Sequence, residues 1–254
     1  FIKSGLILLK KNPNNYQLTY LIGLSYVNLQ NYTEAEKYFD KLLYVQKKPE
    51  IFFIQANIHK QLKKYDSAIS YFEEAIKLNP NFSWSYHNLG ETLAKIKAFD
   101  EAIINYRQAI TLNPNSSWFH YSLATALTKQ GNIDEALTCY QKAIALKPNQ
   151  NLIQKKLEHI YKDYHNLAEK LLQERNLEGA IANYEKAIEQ NPNFAWSYFG
   201  LGKALQQQEK VEEAIASYQK AINLNPNISD FYHWQGEALT KKGQLEKAIT
   251  SYQA

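Results

Sequence analysis

Seven rings stand in one column of this sequence: Tyr20, Phe53, His87, Tyr121, His165, Phe199 and His233, separated by 33, 34, 34, 44, 34 and 34 residues. Rings make up 40 of the 254 residues, too few for such a column to arise by chance. A ring on a helix surface either braces a neighbouring helix or offers a flat apolar face to a bound chain, and both readings stand open here. Trp84, Trp118 and Trp196 each lie three residues before a member of the column, and Trp234 lies one residue after. Large rings at a groove edge bury much area at small entropic cost, so these four are expected to touch a partner. Asn57, Asn88 and Glu91 fall on the same face. Catalytic signals are missing: there is no Gly-x-x-x-x-Gly-Lys-Ser/Thr, no His-Glu-x-x-His and no cysteine pair, and the Phe-Gly-Leu-Gly-Lys phrase at 199–203 sits inside a helical pattern. His87, His165 and His233 are two periods apart, whereas one metal ion gathers its ligand atoms at about 2 Å. No catalytic residue, metal site or cofactor is expected, and the chain is read as no enzyme.

The elements that position these rings follow from the period. Ala35, Ala68, Ala102, Ala136, Ala180, Ala214 and Ala248 repeat with the same spacings as the rings. With this alanine as position 20, repeats start at Tyr16, Pro49, Ser83, Ser117, Tyr161, Ala195 and Ser229. The ring column is then position 5. Position 8 is always Gly or Ala, and position 24 is always Phe or Tyr. Apolar residues at 4, 7, 8 and 11, and again at 20, 24, 27 and 28, give two amphipathic helices, A and B. Small residues at 8 and 20 let the backbones approach while the ring at 24 fills the space beside them. An acidic residue at position 18 in six of the seven repeats faces the positive end of helix B. Proline after helix B ends it, and Ser83, Ser117 and Ser229 stand where an N-cap of the next helix A is wanted. The Asn-x-Ser/Thr triplets at Asn81, Asn115 and Asn227 follow from this turn chemistry rather than from glycosylation.

With Trp-Ser-Tyr-His-Asn-Leu-Gly-Glu-Thr-Leu at 84–93 and Asp-Glu-Ala-Ile-Ile-Asn-Tyr-Arg-Gln-Ala-Ile-Thr-Leu-Asn-Pro-Asn at 100–115, the third repeat resembles the tetratricopeptide repeat family. Nearly the whole chain shares the resemblance; Lys47 at position 32 of the first repeat and Gln55 and Gln235 at position 7 depart from it. It implies an all-α solenoid of antiparallel helix pairs wound as a right-handed superhelix, with helix A lining a concave groove. Some members grip a chaperone C-terminus through a cationic clamp. Asn57 and Asn88 match two of its places, but Phe53, Trp118 and Ser122 replace its cations, so that clamp is incomplete here.

The resulting organisation is a partial repeat (helix B) at 1–15, four repeats over 16–150, an insertion at 151–160, and three repeats over 161–254 with the last truncated, all in one continuous solenoid. The insertion, Asn-Leu-Ile-Gln-Lys-Lys-Leu-Glu-His-Ile, has neither Gly nor Pro, so one long helix from Asn151 to about Glu174 is expected, as padding or as a hinge. Net charge is only +4 and the groove columns nearly cancel, which argues against a nucleic-acid partner. Apolar runs are too short for a membrane span. The single cysteine, Cys139, fits a reducing, cytoplasmic setting. The expected function is a noncatalytic scaffold that binds a protein or peptide along the groove. The alternative is the substrate-recruiting arm of a larger enzyme, because Asn-Pro-Asn-rich arrays resemble those attached to O-linked glycosyltransferases. Ends at Phe1 and Ala254 would leave uncapped apolar faces open to end-to-end association.

Overall fold

The structure, a computed structural model, describes residues 2–148 and 150–253. Phe1 and Ala254, on which the end-to-end expectation rests, lie outside the described residues. Among the described residues every regular element is a helix. By its internal packing the chain divides into two compact units, 1–150 and 151–254.

The first unit contains α1 (Ile2–Lys11), α2 (Tyr16–Asn28), α3 (Tyr32–Val45), α4 (Pro49–Gln61), α5 (Tyr65–Leu78), α6 (Ser83–Lys95), α7 (Phe99–Leu112), α8 (Ser117–Gln130) and α9 (Ile133–Leu146). The second contains α10 (Asn151–Glu158), α11 (Ile160–Gln173), α12 (Leu177–Gln190), α13 (Ala195–Gln207), α14 (Val211–Leu224), α15 (Ser229–Lys241) and α16 (Leu245–Gln253). Within each unit, helix A of a repeat packs on its own helix B, and that helix B packs on the next helix A. The molecule is therefore an α-solenoid of antiparallel helix pairs.

The small-against-large rule holds atom by atom. Every position-20 alanine is buried. A Cβ added to Gly23, Gly90 or Gly202 would stand 2.8, 2.9 or 2.5 Å from the ring of Phe39, Tyr106 or Tyr218, the position-24 residue of the same repeat. Neither helix of a pair could bury its stripe alone, and the ring fills the hollow that the missing side chain leaves.

Two turns complete each repeat. Between A and B the chain passes through a left-handed residue at position 15: Gln30, Lys63, Lys97, Gly131, Arg175, Glu209 and Gly243 all have positive φ. The paired bonds Lys97 N–H to Ala94 C=O and Ala98 N–H to Leu93 C=O satisfy the orphan carbonyls of the helix end, as a Schellman turn does. Five of the seven residues bear side chains, so this corner is held in spite of their steric cost. Between B and the next A, the pre-proline residue is driven extended, as at Asn191 (φ −146°, ψ 91°). The side chains of Asn79, Asn191 and Asn225 then accept from the amides of Asn81, Asn193 and Asn227, folding Asn-Pro-Asn into an Asx turn.

Two expectations need correction. Ser83, Ser117 and Ser229 are the first helical residues and not N-caps; the caps are Phe82, Ser116 and Ile228, without side-chain hydrogen bonds. With extended backbone at Phe82 and Phe194, those rings dock back on Phe53 and His165 in helix A of the same repeat, at 5.0 and 5.1 Å between centroids. Capping side chains occur instead at Asn15, Asn31 and Asn176. The second correction concerns 151–174, which is two helices, α10 and α11, separated at His159 (φ −109°, ψ 8°). The break buries Ile160 alongside Ile153 while Leu157 and Tyr161 stay half-buried, and the Lys156–Asp163 ion pair at 2.9 Å spans it.

Candidate functional site

The ring column turns out to serve packing in all seven repeats. Each member touches the position-24 ring of its own repeat: Tyr20–Phe39, Phe53–Phe72, His87–Tyr106, Tyr121–Tyr140, His165–Tyr184, Phe199–Tyr218 and His233–Tyr252, with centroids 5.5 to 5.9 Å apart. His87, His165 and Phe199 are buried. Tyr20, Phe53 and Tyr121 are half-buried and His233 is exposed. The column is a row of braces from helix A to helix B, with its outer edges left at the surface in some repeats.

His87 is the most enclosed of the histidines. One ring nitrogen, Nε2, shares a 2.9 Å hydrogen bond with Ser122 Oγ of α8, and the ring stacks on Phe119 at 4.9 Å. Burial holds its pKa down to about 4, with Glu91 pulling weakly upward and Lys60 downward. It is a neutral packing group. His165 is likewise lowered by burial, and its Nε2 lies 3.6 Å from Glu169.

The tryptophans behave differently. Trp84, Trp118 and Trp196 are 41, 36 and 40% exposed. Trp84 and Trp196 occupy equivalent settings, each edge-on to its own position-5 ring and to the buried Phe119 or Phe231 of the following repeat. Trp118 instead lies flat on Tyr121 at 5.1 Å. Trp234 is half-buried under the Lys203 ammonium at 5.0 Å, which also stands over Phe199.

The remaining predicted residues fall into a local network. Asn57 turns back to donate to Phe53 C=O on its own helix. Lys60 of α4 reaches α6, donating to Asn88 Oδ1 at 2.6 Å and to Glu91 Oε2 at 3.0 Å. Asn88 also donates to Trp84 C=O. The Glu91 carboxylate is therefore neutralised in place.

In the first unit these helices line an open cavity of about 980 Å³. Helix A of three successive repeats lines it, through Lys60 of α4, Glu91 and Lys95 of α6, and Trp118, Tyr121 and Lys129 of α8; Lys63 and Lys97 enter from the left-handed corners. Of the predicted residues, the cavity gathers Glu91, Trp118 and Tyr121. Tyr20 lines a separate space of about 400 Å³ beside Glu50. His165, Trp196, Phe199, His233 and Trp234 belong to the second unit. Sequence reasoning missed Lys63 and Lys97, because position 15 lies in the A–B corner and outside the helix A columns. The near-cancellation of charge holds over the whole array, yet this cavity alone has five lysines against one glutamate. Among the described residues no group of His, Cys, Asp and Glu is arranged to hold a metal ion, and no helix is long and apolar enough to cross a membrane.

Comparison with known proteins finds the same kind of repeat along most of the chain. Models described as tetratricopeptide repeat match residues 16–49, 49–82, 71–104, 117–150, 195–228 and 217–250, and one described as TPR repeat matches 96–131 and 170–209. No curated protein matches the chain in sequence. Among solved structures, the fold is similar to a chain of Naa15/Naa10 bound to HypK-THB (18% identity, TM-score 0.63, 94% of this chain and 36% of that one). It is also similar to a tetratricopeptide repeat protein from Parabacteroides merdae (18%, 0.58, 94% and 91%). A third is a chain of the APC/C hetero-tetramer Cut9-Hcn1 (16%, 0.51, 92% and 45%). The chain thus spans less than half the length of two of these three structures.

Proposed function

Since the chain belongs to the tetratricopeptide repeat family, we propose that it is a noncatalytic scaffold that holds a protein or peptide segment against its A helices. The observation that carries this reading is the cavity walled by α4, α6 and α8, with the part-exposed Trp118 plate in its lining. A scaffold needs apolar anchors that remain accessible in the folded state, and the tryptophans at position 2 satisfy that while the position-5 rings are mostly spent on packing. The structurally similar Naa15/Naa10 assembly, bound to HypK, supports a fold of this kind serving as a protein-holding frame. A reducing, cytoplasmic setting fits the free Cys139. The same surface would equip a recruiting arm of a larger enzyme, which the sequence adjoining these residues distinguishes by the presence of a catalytic domain.

The test is affinity capture with the chain as bait, in parallel with the Trp84→Ala, Trp118→Ala and Trp196→Ala triple variant. Helix content should be retained in the variant although melting falls with the lost ring packing, and the polypeptides held by the parent should be lost. Capture unchanged by the triple substitution refutes the groove assignment.

A further inference from the structure

We propose that the cavity between α4, α6 and α8 takes an acidic protein segment, one in which carboxylates flank an apolar or aromatic side chain. The inference rests on the scaffold reading above and adds the chemistry of the guest. Five lysines line the cavity: Lys60, Lys63, Lys95, Lys97 and Lys129. Lys60 is committed, since its ammonium bonds Asn88 and Glu91 and thereby cancels the one carboxylate of the lining. The other four are exposed, and among the described residues none is paired with a carboxylate. A surface that needed only solubility would intersperse the two signs; here one sign collects around one hollow. Complementary charge steers a partner to its place and fixes its register.

The left-handed corners are what concentrate this charge. Lys63 (φ 60°) and Lys97 (φ 65°) occupy the same place in successive repeats, so the solenoid delivers an ammonium from each corner to the rim of the cavity. Trp118, stacked on Tyr121, shares this lining with the apolar Ala94, Ala126 and Phe99. Cations around a ring-lined hollow match carboxylates around a ring. A volume of about 980 Å³ admits a few side chains of an extended segment and not a folded domain. A polynucleotide fits less well: the lysines surround one hollow instead of forming a stripe, and no arginine is present to fork onto phosphates.

Fluorescence anisotropy with three labelled probes tests the assignment: a short peptide with Phe flanked by Asp and Glu, the same peptide with Asn and Gln in their places, and a single-stranded oligouridylate. The acidic peptide should bind, and its amide counterpart should bind at least about tenfold more weakly at low salt. Combining Lys63→Gln, Lys95→Gln, Lys97→Gln and Lys129→Gln should weaken the acidic peptide by a similar factor and leave the amide peptide unchanged, with the helical circular dichroism intact. If both peptides bind equally and Trp118→Ala abolishes both, the scaffold reading stands and the acidic guest is refuted. Oligouridylate bound more tightly than the acidic peptide also overturns the proposal. Binding of no peptide while the tryptophan triple variant loses captured proteins places the guest elsewhere and refutes it; if capture too is indifferent to the tryptophans, the scaffold reading falls with it.

Discussion

Replacing His87 with Phe should make the protein resist acid better than its parent. The buried imidazole has its pKa held at about 4, whereas in the unfolded chain it titrates at the ordinary 6.5. As pH falls below 6.5 the unfolded state takes up a proton that the folded state refuses, so the unfolded state is favoured progressively until the folded group titrates near 4. The loss accumulated across that window is about 3 kcal/mol, a large share of a typical domain's stability. The chain itself shows that Phe is tolerated in this setting: Phe199 meets Trp196, Phe231 and Tyr218 as His87 meets Trp84, Phe119 and Tyr106. At neutral pH the variant leaves Ser122 without the imidazole, which costs about 1 kcal/mol. Denaturant unfolding followed by circular dichroism at several pH values from about 7 to about 4 gives the stability difference between the two proteins. That difference should shift by about 3 kcal/mol in favour of the variant as pH falls, because carboxylates common to both cancel. A difference that does not change with pH refutes the enclosed, neutral His87.

Three further outcomes follow from the packing and the turns. Ala102→Leu, at a fully buried position 20, should destabilise the fold by about 1–3 kcal/mol in the same unfolding assay, because the added methylenes have nowhere to go between the paired helices. Glu209→Gly should stabilise it by about 0.5–1 kcal/mol, since φ at this corner is 65° and glycine removes the steric cost. Cys139 should react with a thiol-specific reagent near neutral pH far more slowly in the folded than in the denatured chain, because burial pushes its pKa up to about 11; equal rates would contradict its placement.

The helix pairs were legible because their signal repeats: the position-8 glycines, the position-20 alanines and the position-24 rings sit in the structure where the period put them. Single-copy features were harder. The expected helix from 151 to 174 breaks at His159, and no Gly or Pro marks the place; Ile160, just past it, is buried. The cap expected at Ser83 failed as well: Phe82 takes that place with extended backbone, and its ring meets Phe53 in helix A of the same repeat. At the site, the tryptophans were recognisable as lying outside the core stripe. The lysine cluster was not, because column-by-column counting averages charge along the array, while the cavity samples three repeats and two corners. Nor could the column at position 5 be sorted into brace or contact from spacing alone, as both roles demand the same ring.

The pairing of hollow and ring in every repeat makes the chain editable in whole periods. Deleting 83–116 would join Phe82 to Ser117 and bring the surface of α5 against α8, which presents Leu123 where α6 presents Leu89, the leucine that shares a core cluster with Phe72 of α5. Because each position-8 residue and the ring it faces belong to one repeat and leave together, the shortened molecule should close its seam and fold with two fewer helices. Length is thus a free variable of this architecture, provided cuts respect the 34-residue module, while a deletion half that long would set like faces against each other and leave both unfilled.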